Sequence, residues 1–302
     1  MKLWHTPSSR SVRARAFTII EIAICLGIIG FALVAIIAAL PRGLDVQKQN
    51  REETIIGQDA QVWMNALRSG ARGYDDLTNY VLCITNFWTE YDFNYAAGGS
   101  GYAVLGSGYD FYTPTNSKVT MPIIIPAVPS TFSLSNGAII VGLLSMPKTI
   151  PEFIPPPTSV FYSNYVVAYV RAFSGPIVDK TPQNNATILA DAFTYRMIVE
   201  NFPYTPIDTN SICMNCPAAG NLTTAQLIER TNLLRSQWLL LKNAHDFRLR
   251  FRWPVLPNGR IPNNGLATFR SMADGELMVT NQTGQPPLYL VQASTYGTNS
   301  PP

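Results

Sequence analysis

Residues 17–40, FTIIEIAICLGIIGFALVAIIAAL, decide how the rest of the chain is to be read. After Glu21 come nineteen residues, 22–40, without a single charge. As an α-helix rising about 1.5 Å per residue they nearly match the roughly 30 Å hydrocarbon core of a bilayer. Glu21 is the exception, because an ionisable side chain at the edge of such a segment is costly to bury and is normally kept for a role. Residues 1–16 carry Lys2, Arg10, Arg13 and Arg15 and no acid. Basic residues hold their flank in the cytoplasm, so the pattern predicts one span with everything after Leu40 on the outer side.

Simpler readings of this segment explain less. A secretory signal has a shorter apolar region that ends at a small-residue cleavage site, with no carboxylate at its front edge; here Ala38-Ala39-Leu40-Pro41 is only a loose match. A lipoprotein signal needs a small residue before its cysteine, and Ile24 precedes Cys25. An ordinary single-pass anchor accounts for the length and the basic flank but leaves Glu21 without a task.

The stretch Arg15-Ala16-Phe17-Thr18-Ile19-Ile20-Glu21 resembles the processing motif of type IV prepilins and of the pseudopilins of type II secretion. The resemblance covers about residues 10–70. It implies that a prepilin peptidase in the cytoplasmic membrane cuts between Ala16 and Phe17 and methylates the new amino terminus on Phe17. Glu21 then matches the family's glutamate at the fifth mature position. The chain departs from the family in having Ala16 where glycine is usual, and in placing Pro41 a few residues later than the usual proline. The other implied partners are further pilin or pseudopilin subunits, packed through the N-terminal helix into a pilus or pseudopilus in the periplasm or at the cell surface. In such a filament the Glu21 carboxylate of one subunit meets the Phe17 ammonium of its neighbour. Removing one member of a buried charge pair costs roughly 3–5 kcal/mol. Ala23 and Gly27, like Ala35 and Ala39, are spaced four apart, as in closely packed membrane helices.

Beyond Pro41 a helical pattern resumes. Ile55, Ile56, Val62, Trp63, Ala66 and Leu67 recur at helix spacing among Lys48, Arg51, Glu52, Asp59 and Arg68, and Gly70 and Gly73 mark the end. Pro41 kinks such a rod without necessarily ending it. The expected organisation is a leader over 1–16, an N-terminal helix over 17–72 with its membrane span at about 17–40, and an exported globular part over 73–302. The fold class expected is α+β: a long helix, half transmembrane and half amphipathic, packed on a mostly antiparallel β-rich head, which is the pilin-like arrangement the resemblance implies. Removing the leader leaves 18 basic against 19 acidic residues, so the formal charge of +3 is a targeting feature and nucleic acid is not an expected partner.

Runs rich in β-branched and aromatic residues predict strands at 137–144 (GAIIVGLL), 160–173, 192–199 and 287–292. The clearest is 246–255, where Phe247, Leu249, Phe251 and Trp253 alternate with Arg248, Arg250 and Arg252. The arginine face reads as solvated or salt-bridged in preference to an anion-binding surface. Residues 223–243 predict a helix with an apolar stripe of Leu227, Thr231, Leu234 and Trp238, capped by Thr223 or Thr224 and breaking into strand near Trp238. Segments 94–109 and 147–158, rich in Gly or Pro, predict surface loops, and 294–302 a frayed tail.

Little here points to an enzyme. His245 is the single histidine outside the leader, and no GxSxG, phosphate loop or HExxH occurs. Cys25 lies in the span, leaving Cys83 and the pair Cys213 and Cys216. In an exported chain a structural disulfide, Cys213–Cys216 or one of these with Cys83, is the default; a zinc site or a redox dithiol are the alternatives. No cofactor or metal is expected. Asp75-Asp76 is a candidate cation site against the plainer reading of two solvated acids in a turn. Asn185, Asn221 and Asn281 head sequon-like triplets of the sort an Asn- and Thr-rich chain shows by chance. The sequence therefore predicts a minor filament subunit, with a membrane-anchored surface-binding module as its rival.

Overall fold

A computed structural model describes residues 18–70, 73–93, 103–114, 132–152, 159–173, 192–204, 224–256, 258–262, 265–280, 287–293 and 295–296. The chain divides into two compact units at Glu52/Glu53. Helix α1, Ile19–Ser69, passes through this division and also through Pro41, which does not end it.

In the first unit, α1 is long and apolar enough, by length and composition, to cross a membrane, and no part of its apolar window is buried by the chain. Ile19 and Phe31 are 88% and 79% exposed. Such a surface has no place in water, so lipid or other protein must cover it.

The second unit is α+β. After α1 and a 3-10 turn (Asp75–Asn79), the chain forms β1 (Val81–Phe93), β2 (Ala103–Thr113), β3 (Phe132–Ser133), helix α2 (Gly137–Leu144), β4 (Thr149–Glu152), β5 (Ser159–Arg171), β6 (Thr194–Pro203), helix α3 (Thr224–Asn243), β7 (Ala244–Trp253), β8 (Gly265–Asp274), β9 (Glu276–Thr280) and β10 (Leu288–Gln292). One eight-stranded sheet runs β3-β2-β1-β5-β6-β7-β8, with β4 paired to the first part of β5; every pairing is antiparallel except β2 with β3. Strands β9 and β10 form a separate antiparallel pair.

The core lies between one face of this sheet and the helices. The predicted stripe of α1 supplies Ile56, Trp63, Ala66 and Leu67, joined by Ala60 and Met64. Helix α2 adds Ile140, Leu143 and Leu144, and the strands add Ile84, Val166, Ala168, Val170, Met197, Val199, Phe247, Leu249 and Phe251. Trp63, 0% exposed, donates its indole N–H to the Tyr195 hydroxyl at 2.9 Å and stacks obliquely on Phe173 at 5.3 Å. At the C-terminus of α1, Gly70 takes φ +68, and a Cβ there would strike the Val291 carbonyl oxygen; a glycine is required on both counts.

Four sequence expectations are corrected. Residues 137–144 form α2 and not a strand. An apolar run of eight is too short for periodicity to separate a buried helix from a buried strand, and Asn136 settles it by accepting the Ile139 N–H at 2.8 Å as an N-cap. Residues 103–109, expected in a loop, belong to β2, because glycines there make room for Trp88 across the ladder from Gly108. Residues 149–152, also expected in a loop, form β4; Pro151 is tolerated on a strand with one pairing partner, β5. Helix α3 does not break near Trp238 but continues to Asn243, whose side chain donates to the Leu239 carbonyl at 2.9 Å. Strand β1 and the β8–β9 segment were not predicted. Residues 94–102 and 153–158, Thr223 and the four side chains of the α3 stripe lie outside what is described.

Candidate functional site

At the start of α1, Thr18 and Glu21 bond reciprocally. The Glu21 carboxylate accepts the Thr18 N–H at 2.8 Å and the Thr18 hydroxyl at 3.0 Å, while Thr18 Oγ1 accepts the Glu21 N–H at 3.3 Å. This is a capping box, which satisfies amide donors that an apolar helix start leaves without partners. It gives Glu21 a local task that the sequence reading did not assign, although the Thr-x-x-Glu spacing was visible there. Ala16 and Phe17, the expected processing residues, lie outside the described residues.

Two of the three arginines on the face of β7, Arg248 and Arg250, are ion-paired. Asp246 accepts from Arg248 at 3.0 Å and from Arg270 at 2.7 Å, and Glu200 pairs with Arg250 at 3.1 Å and Lys148 at 3.3 Å. Burial raises the Asp246 carboxyl, but the hydrogen bonds from Arg270 and Arg248 outweigh it, so its pKa falls below the ordinary value. Arg252 stands opposite Arg196 in the ladder. Asp246 and Glu200 thus tie four of the basic side chains of this face into a structural network, while the Arg252 and Arg196 pair adds positive charge to it.

The other singled-out residues that the structure describes do not converge. Cys83 is an unpaired thiol, 2% exposed, whose pKa burial pushes up to about 12; such a thiol is unreactive. Cys213, Cys216 and the three sequon asparagines lie outside the described residues. Asp75 and Asp76 sit in the first turn of the 3-10 helix. Among the described residues no three His, Cys, Asp or Glu side chains gather where they could hold a metal. His245 is buried, and burial lowers its pKa.

Two depressions indent the second unit. One, about 740 Å³, lies beside the end of α1, lined by Asn65, Arg68, Tyr74, Asp274 and Tyr296. The other, about 370 Å³, was missed by sequence reasoning because β1 itself was missed. Along β1 the side chains alternate, so Asn86 and Trp88 share a face with the core residue Ile84. Tyr162 and Asn164 do the same on β5 beside Val166, and Asp110 lies opposite Asn86 on β2. These five, with Tyr289 of β10, Met146 and Ile150, wall the cleft. The Trp88 and Tyr162 rings meet edge to face, centroids 6.4 Å apart at 74°. A Cβ on Gly108 would lie 2.6 Å from Trp88 Cζ2, so glycine at 108 lets the indole lie close over β2. Asn86 donates to Asn164 Oδ1 at 3.2 Å, and Asn164 donates to the Pro147 carbonyl at 3.1 Å. Asn86 Oδ1, on a residue 4% exposed, has no hydrogen-bond partner among the described residues. Burial raises the pKa of Asp110.

Comparison with protein-family models, with curated proteins and with solved structures gave no match to this chain.

Proposed function

We propose that the chain is a prepilin-like subunit, a structural or assembly component of a type IV pilus or type II secretion-like filament, processed by a prepilin peptidase between Ala16 and Phe17. The observation that carries the reading is a carboxylate, Glu21, in the first turn of a helix whose apolar window the chain leaves uncovered, directly after a basic segment with a small residue before Phe17. In this reading homologous helices cover the apolar surface in the filament, and lipid covers it before assembly. The size of the part beyond the helix favours a minor subunit over the most repeated one.

The first test is intact mass and N-terminal sequencing of membrane-extracted protein, with and without a co-expressed prepilin peptidase. Peptidase-dependent loss of residues 1–16 with a methylated Phe17 supports the proposal; an unchanged N-terminus, or a cut after Ala39, overturns it. The capping box calls for a second pair of variants. Thr18→Val weakens the cap but keeps the charge, whereas Glu21→Gln removes the charge and keeps an acceptor for the Thr18 N–H. If Glu21 registers subunits by charge, Glu21→Gln abolishes filament incorporation and Thr18→Val does not.

The rival, a membrane-anchored binding module, is favoured by the aromatic-walled cleft on β1, β2 and β5.

A further inference from the structure

The cleft between β1, β2 and β5 has an unusual inventory of polar groups. Among the described residues its one charged wall residue is Asp110, which has no hydrogen-bond or ion-pair partner there, and no described lysine or arginine lines it. Each side-chain amide commits one N–H within the chain, Asn86 to Asn164 and Asn164 to Pro147. Two acceptors stand out in what remains, the Asp110 carboxylate, which carries the charge, and the buried Asn86 Oδ1, which has no partner among the described residues. Around these stand the faces and edges of Trp88, Tyr162 and Tyr289.

A half-buried carboxylate without a counter-ion is an unfavourable arrangement unless a cation completes it. The ligand classes separate on that ground. An anion is repelled by Asp110 and finds no basic residue. A purely apolar ligand leaves the carboxylate and Asn86 Oδ1 stranded. A metal ion lacks a third ligating side chain. A neutral sugar finds donors and acceptors here but brings no positive charge, so it leaves the half-buried Asp110 carboxylate without a counter-ion. An ammonium group brings donors and positive charge together, and two aromatic rings set near perpendicular, at 74°, offer it electron-rich faces. The volume, about 370 Å³, falls at the lower end of small-ligand pockets, roughly 300–1,000 Å³.

We infer that this cleft binds an organic ammonium group, with Asp110 as its counter-ion and Trp88 and Tyr162 as its aromatic walls. The group belongs either to a lysine side chain of a partner or to a free methylated amine. The site lies within the second unit, and its existence does not depend on the assembly reading. The close approach of Trp88 to Gly108 is explained as well, since it fixes one wall of the cage.

The test is isothermal titration of the full chain in non-ionic detergent with choline, with its uncharged isostere 3,3-dimethylbutanol, with a short lysine-containing peptide and with methyl glucoside. Saturable binding of choline or of the peptide, with no binding of the isostere, is expected. Tighter choline binding points to a methylated amine, and tighter peptide binding to a lysine side chain. Asp110→Asn, nearly isosteric and free of the buried charge, keeps the thermal transition and weakens binding at least about tenfold; Trp88→Phe weakens it less. Equal binding of the isostere, binding of methyl glucoside alone, no binding of any probe, or an unchanged affinity in Asp110→Asn overturns the inference.

Discussion

Asp59 offers the sharpest energetic prediction. It lies on the half of α1 within the second unit, 2% exposed, and accepts the Phe173 N–H at 3.1 Å and a hydrogen bond from the Tyr195 hydroxyl, which in turn accepts from Trp63. Burial raises its pKa from 3.8 to about 6, against the opposing pull of those two hydrogen bonds. Each pKa unit is worth about 1.4 kcal/mol, so the shift corresponds to about 3 kcal/mol. The sign follows from proton counts. Between 3.8 and about 6 the folded chain binds more protons at this site than the unfolded chain, so stability falls as pH rises through that window. Below the unfolded pKa the contribution is fully present; above about 6 it is lost. Asp59→Asn keeps an acceptor for Phe173 and cannot ionise. Urea unfolding of both proteins in non-ionic detergent, followed by tryptophan fluorescence, is to be run from about pH 4 to about pH 7. The wild type is expected to lose about 3 kcal/mol relative to Asp59→Asn across that range. A constant difference, or a wild type that gains on the variant as pH rises, would show that the Phe173 and Tyr195 hydrogen bonds hold the carboxylate ionised, and would refute the reasoning.

Asp246 carries the opposite sign. Its pKa is depressed in the fold, so its stabilisation is present above the unfolded value and is lost as pH falls through the folded one. Asp246→Asn costs about 1 kcal/mol at neutral pH, since both guanidinium partners are largely exposed, and the deficit vanishes in acid. Asn136→Ala removes the N-cap of α2 and lowers unfolding free energy by about 1 kcal/mol at unchanged m-value. Gly108→Ala places a methyl 2.6 Å from Trp88 Cζ2, costs about 1–3 kcal/mol, and weakens choline binding by displacing the aromatic wall. Choline affinity unaffected in that variant would separate Trp88 from the site.

Where the sequence was legible, one dominant periodicity had no competitor. Phe247, Leu249, Phe251 and Trp253 alternate with arginines because β7 has one buried face, and all four are at most 4% exposed. The 55–67 stripe became the core face of α1 for the same reason. In β1 that signal is blurred: Ile84, Asn86 and Trp88 share a face whose cover changes from packed core to open cleft along the strand, so no single hydrophobic pattern marks it. The cleft could not be found while its central strand was unassigned.

The sequence by itself determined the uncharged helix after Glu21 and the basic segment before it, since length and charge along one continuous segment decide fitness for a bilayer. It also determined the amphipathic continuation of that helix and the alternation of β7, where burial repeats with the period of the local backbone. Only the tertiary structure decided that 137–144 is a helix, that β2 and β4 join the sheet, and that Asp59 sits in a buried carboxylate–tyrosine–tryptophan chain. It alone brought Asn86, Trp88, Asp110, Tyr162 and Asn164 together. These depend on partners far away in the chain, and a buried charge or an aromatic wall is defined by what packs around it, which no local pattern of residues records.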